Sequence, residues 1–142
     1  MIVLSLGTNL GDRSVNLAQA RALLETKLKV TLKCSKELET KAIGFEGEDF
    51  LNQVVAFEKP DGLEPEGLLD ICQRIEIEMG RKPHCPKYQE DGTRLYEDRI
   101  IDIDILFFDD VKINTERLTI PHTQVQERFF VTELLQNIDE KL

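Results

Sequence analysis

The sequence predicts an α+β fold, a mainly antiparallel sheet with helices packed on it. Three observations lead there. Short segments alternate apolar and polar residues, as in Val30, Leu32 and Cys34, which is the period of a strand. Longer segments repeat apolar residues every three or four positions, which is the period of a helix. The two kinds follow one another as β-α-β-β-α-β, with a short extended segment and a helix after them, the ferredoxin-like plan with an addition.

Residues 2–6 (IVLSL) read as a buried first strand. Gly7-Thr8-Asn9-Leu10-Gly11 makes a sharp exit, and Asp12 or Ser14 can cap a helix. Leu17, Ala20, Leu24 and Leu28 give that helix its apolar stripe. A second strand is expected over 30–39, a loop over 40–49 and a third strand from Phe50 to Glu58. The second helix starts near Glu64-Pro65, since Pro is tolerated in a first turn. Leu68, Ile71, Cys72, Ile75 and Met79 line one face of it, and Gly80 ends it. Residues 81–98 are polar and without periodicity, a length that usually marks function or mobility.

Arg99 to Phe108 is a strongly apolar strand, expected to set Ile101, Ile103, Ile105 and Phe107 on one face. Asp109-Asp110 turns the chain, and Val111–Asn114 and Leu118–Ile120 are short extended pieces. Thr123 and Gln126 form a capping box for a last helix that buries Phe130, Val131, Leu134 and Ile138.

With 142 residues and no internal repeat or linker, one domain over 1–142 is expected. A net charge of −9 argues against non-specific nucleic-acid binding, which needs a basic footprint. The basic residues gather locally instead, at Arg81, Lys82, Lys87, Arg94 and Arg99. Three cysteines at spacings that fit no zinc pattern, no leader-like start and no membrane-spanning run point to a reducing cytoplasm and no membrane partner.

The sharpest chemical feature is Asp102-Ile103-Asp104 within a strand. Alternation places the two carboxylates on one side, with Cα atoms about 6.5–7 Å apart. Like charges so close repel, and divalent cations between them relieve the repulsion. Oxygen ligands without neighbouring His or Cys favour Mg²⁺. The plain alternative is a solvated strand face, although Asp is depleted in strands. The arginines just upstream are what triphosphate transfer needs, or else part of a surface segment. No P-loop and no kinase signature is present.

The chain resembles the 6-hydroxymethyl-7,8-dihydropterin pyrophosphokinase family of the folate pathway nearly end to end. The resemblance rests on LGTNLGDR at 6–13, FLNQVV at 50–55, RIEIEMGR at 74–81, DRIIDIDIL at 98–106 and INTERLTIPH at 113–122. It implies that the pterin hydroxymethyl oxygen attacks the β-phosphorus of ATP and AMP leaves. It implies two Mg²⁺ ions at Asp102 and Asp104, with Arg81 and Arg99 on the phosphates.

For the pterin, the resemblance implies Asn52 on its edge, Phe50 and Phe130 facing the ring, and backbone of Thr40, Ala42 and Ile43. On the nucleotide side it implies Gln73 and Glu76, backbone at Ile105 and Thr119 against adenine, and Arg117, His122 and Arg128 on phosphates. A monomer is expected.

Taken without the resemblance, Phe50 and Phe130 read as core residues, His122 as a surface or cap residue and Glu76 as an exposed helix charge. Asn52 inside a strand is unusual by itself. The family's RWGPR stretch is Leu95-Tyr96-Glu97-Asp98-Arg99 here, so Tyr96 stands where the family has tryptophan. Two competing readings are a ferredoxin-like regulatory domain that binds a small molecule without catalysis, and a two-metal phosphotransferase or nuclease with another substrate.

Overall fold

The computed structural model describes residues 1–40, 49–80, 100–121 and 133–138. The alternating run at the start forms β1 (Ile2–Thr8), and the exit loop leads into α1 (Arg13–Leu28). Of the two candidate caps, Asp12 is used: its Oδ1 accepts the Val15 N–H at 3.2 Å. β2 (Lys33–Cys34), β3 (Leu38–Thr40) and β4 (Phe50–Phe57) follow. Pro65 sits in the first turn of α2 (Pro65–Glu78), and Gly80 just beyond that helix has φ +104°, the left-handed conformation that closes a helix. β5 (Asp102–Phe108) and a small ribbon of β6 (Ile113–Asn114) and β7 (Thr119–Ile120) come next. Residues 133–138 are helical.

The main sheet runs β2-β4-β1-β5, with β3 also paired to β4 and every ladder antiparallel. This is the expected α+β, ferredoxin-like order, with β1 in the interior of the sheet. One face packs on both helices. Leu4 and Leu6 of β1, Val55 and Phe57 of β4, and Ile103 and Ile105 of β5 meet Leu17, Leu24, Leu68, Cys72 and Ile75 there. Each such side chain, taken out of water, contributes roughly 1.5–3 kcal/mol. The other face is covered at one end, where Val54, Ala56 and Leu106 pack on Leu134 and Ile138.

Two departures from simple alternation decide which side chains reach that second face. The expected single strand over 30–39 is broken. Cys34 pairs with Val55 and Leu38 with Asn52, so the chain advances four residues while β4 advances three. The extra residue is a bulge. Ser35 holds it: its N–H donates to the Val54 carbonyl at 2.8 Å, and its hydroxyl accepts the Val54 N–H at 2.9 Å. Cys34 therefore packs on the helix side, whereas Leu38 packs on the opposite side.

A second bulge lies in β5, where Ile105 pairs with Leu4 and Phe107 with Val3, leaving Leu106 as the extra residue. Phe107 consequently does not share the face of Ile103 and Ile105. Phe108 takes that place, and Phe107 packs with the second cluster. The other strands match their expected positions to within a few residues at the ends.

Candidate active site

The end of the second face that residues 133–138 do not cover is assembled from three strands in register. Gly7 of β1 pairs with Asn52 of β4 on one side and with Asp102 of β5 on the other. The next row holds Val54, Ser5 and Asp104. Asp102 and Asp104 are both half-buried and project to this face, as alternation requires. The pair thus lies on the side away from the helices, beyond the end that residues 133–138 cover.

Asn52 is 5% exposed, and its amide is oriented by its neighbours. Nδ2 donates to the Leu38 carbonyl at 3.1 Å and to Thr40 Oγ1 at 2.8 Å. With both amide hydrogens directed there, Oδ1 is turned over Gly7. The bulge at 35–37 makes this possible, because it sets Leu38 and Thr40 on the same side as Asn52. Phe50 is half-buried and lies outside both core clusters, with Cδ1 3.8 Å from the point where a Gly7 Cβ would sit.

Glu76 is buried on α2, 8% exposed, and is not the exposed helix charge of the plain reading. Its Oε2 accepts the N–H of Ile103 at 3.0 Å. Ile103 lies between the two aspartates on the edge strand, so this bond satisfies an outward-facing amide that no neighbouring strand among the described residues reaches. Gln73, one turn earlier on α2, is exposed.

A cleft of about 240 Å³ opens along the same edge, lined by Leu69, Ile103, Asp104, Ile105, Glu116, Arg117, Leu118 and Thr119. It brings Ile105, Arg117 and Thr119, three positions expected on the nucleotide side, next to Asp104. Arg117 forms ion pairs with Glu66 and Asp70 of α2. The hydrogen bond to Asp70 is the main cause that raises its already high pKa. Ala42, Ile43, Arg81, Arg99, His122, Arg128 and Phe130 lie outside the described residues, as do Lys82, Arg94 and Tyr96.

Beneath the aspartates lies Cys72, fully buried. Burial first, then the charges of Glu76 and Asp104, push its thiol well above the ordinary value of 9.0. The folded state therefore disfavours the thiolate, and above pH 9 the unfolded chain gains by ionising where the folded chain does not. The contribution to stability is complete below that pH and declines as pH rises past it. Urea midpoints are expected to fall between pH 8 and pH 10, and Cys72→Ala is expected to flatten the fall. The same slope in that variant would remove the thiol as its cause.

Ser5, Gly7, Glu66 and Asp70 were not among the residues expected at the site. Ser5 and Gly7 had a signal, two small residues alternating with Leu4 and Leu6, which marks a strand face that something must approach closely. Asp70 had none, because its partner Arg117 is brought to it by the tertiary fold.

The arrangement can hold cations at two carboxylates, place an acceptor oxygen at Asn52 and take a flat group against the β5 edge. The family model for 7,8-dihydro-6-hydroxymethylpterin-pyrophosphokinase (HPPK) matches residues 3–140. The chain is 39% identical over 140 residues to the 2-amino-4-hydroxy-6-hydroxymethyldihydropteridine pyrophosphokinase of Porphyromonas gingivalis, covering 97% of this chain and 90% of that one. It is 38% identical over 141 residues to the protein of the same name from Bacillus subtilis, covering 98% and 78%. It is 35% identical over 138 residues to the mitochondrial folate synthesis bifunctional protein of Pisum sativum, covering 96% of this chain and 25% of that protein.

Proposed function

Because the chain belongs to the 7,8-dihydro-6-hydroxymethylpterin-pyrophosphokinase family, we propose that it transfers the pyrophosphoryl group of ATP to the hydroxymethyl oxygen of 6-hydroxymethyl-7,8-dihydropterin, a step of folate biosynthesis. The bond formed joins that oxygen to the β-phosphorus. The bond broken is the one from the β-phosphorus to the oxygen bridging it to the α-phosphate, and AMP leaves with that oxygen. The observation that carries the reading is the shared row of Asn52, Gly7 and Asp102, with Asp104 one row away. It sets an acceptor for a polar heterocycle beside a pair of carboxylates.

The donor set fits magnesium. The pair is all oxygen, and this ion commonly takes one or two carboxylates while phosphates and water fill the remaining positions. Asp102 and Asp104 would hold it, two ions in this reading. When bound, magnesium neutralises phosphate charge and keeps attacking and leaving oxygens in line.

The chain's own residues do the rest. Asn52 Oδ1 accepts an N–H from the pterin edge, and Phe50 offers a ring face beside it. Thr40 adds its hydroxyl and, with Ala42 and Ile43, backbone groups. Phe130 closes the other side of the ring. Ile105 and Thr119 present backbone to adenine in the edge cleft. Arg81, Arg99, Arg117, His122 and Arg128 bind phosphates, and Arg117 is held at the cleft by Glu66 and Asp70 until it does so. Gln73 and Glu76 border the nucleotide from α2. The reading includes one domain over 1–142, acting as a monomer in the cytoplasm. Among the described residues no helix is long and apolar enough to cross a membrane.

The test is AMP release from ATP, measured with each component left out in turn. Release is expected only when Mg²⁺ and the dihydropterin are both present. AMP formation that ignores the dihydropterin, or that survives chelation of all divalent metal, defeats the proposal.

A further inference from the structure

We propose that Gly7 is a positioning residue for the acceptor substrate, acting through Asn52. This deepens the pterin reading above and rests on it. Three observations carry it. A Cβ at Gly7 would lie 3.3 Å from Asn52 Oδ1, closer than side-chain carbons normally approach, while the Phe50 ring at 3.8 Å is in ordinary contact. Asn52 has little room to give, because its Nδ2 is tied to the Leu38 carbonyl and to Thr40 Oγ1 and the residue is only 5% exposed. Gly7 is also not among the glycines at positive φ, so its backbone accepts a side chain and no turn demands glycine there.

The absence of a side chain therefore serves Asn52. The amide lies across β1 with its oxygen over Gly7, in the row that continues to Asp102. A methyl group would displace that oxygen by a few tenths of an ångström at the point where a ligand N–H must meet it. Hydrogen bonds depend on both distance and angle, so an acceptor pushed or turned from its place meets a fixed donor less well. Among the described residues the cleft is lined from α2, β5 and the segment 116–119, and Gly7 is not one of them. The effect is thus confined to the acceptor.

The experiment is a double-mutant cycle on Gly7→Ala and Asn52→Ala. Dissociation constants are measured for the dihydropterin, with Mg²⁺ and a non-hydrolysable ATP analogue present, and for the analogue alone. Gly7→Ala is expected to weaken dihydropterin binding by about ten-fold or more and to leave analogue binding within two-fold, with KM for the pterin rising more than kcat falls. In the Asn52→Ala background the same change is expected to cost less than two-fold, because the atom in conflict is gone. Wild-type pterin affinity in Gly7→Ala, a parallel loss of analogue binding, or full additivity in the double variant each overturns the inference. Should Gly7→Ala not fold, the double variant decides: folding and analogue binding like Asn52→Ala support it, and failure to fold there overturns it. A wild-type protein that binds the analogue but no dihydropterin brings down the acceptor reading itself, a distinguishable result.

Discussion

Asp104→Ala is expected to lower AMP release by at least about a thousand-fold while leaving the fold intact. The floor comes from what one preorganised electrostatic group contributes when charge develops on transferred atoms, up to roughly 4 kcal/mol. A cation held by a pair loses one of its two protein ligands, so the loss should exceed that figure. Melting temperature separates a loss of chemistry from a loss of fold. Asp104→Asn separates the charge from the shape and should be as inactive. The comparison to make is turnover against melting temperature in both variants. Retained turnover in Asp104→Ala would end the assignment of the carboxylate pair as the cation site.

The second large effect concerns stability. Glu76→Ala removes the acceptor of the Ile103 N–H, a bond of 3.0 Å to a carboxylate 8% exposed as a residue. Leaving a buried donor without a partner costs about 1–3 kcal/mol, with more added by the space vacated. For a chain of this size that corresponds to a fall in melting temperature of about 5–10 °C. Glu76→Gln keeps an acceptor oxygen in place and should lose much less. Because Ile103 separates the two aspartates, AMP release should fall in the alanine variant more than in the glutamine variant. Equal losses in the two would show that the charge matters and the strand-edge bond does not.

Much of the frame is legible because its signals are local. The stripe Leu17, Ala20, Leu24 and Leu28 reports its own helix, and all four are buried. Asp12 as a cap, Pro65 at a helix start and Gly80 beyond a helix end obey rules that need no tertiary partner. Asp102 and Asp104 are legible for the same reason, since a two-residue spacing places both side chains before any fold is known. What stays hidden depends on a partner strand. The bulges at 35–37 and at Leu106 are mismatches between two segments, and neither segment alone announces them. The second reverses the side expected of Phe107, and the first puts Leu38 on the side opposite Cys34. The first also delivers Thr40 and the Leu38 carbonyl to Asn52, the contact that orients its amide. Gly7 is legible only in part: its small size marks a close approach, but what approaches is visible only when Asn52 is placed above it.

The interior position of β1 has a consequence for synthesis. Gly7 must find Asn52 and then Asp102, partners far downstream in the chain. As the nascent chain leaves the ribosome, β1 can pair with β4 while its opposite edge, the one that takes β5, stays unpaired. Its unpaired backbone N–H and C=O groups stay open to other chains until residues 102–108 arrive and zip against them. Closure over such a separation in sequence is slow compared with helix formation. The half that bears Asp102 and Asp104 is therefore completed last, so a product truncated before it would carry Asn52 without the carboxylate pair.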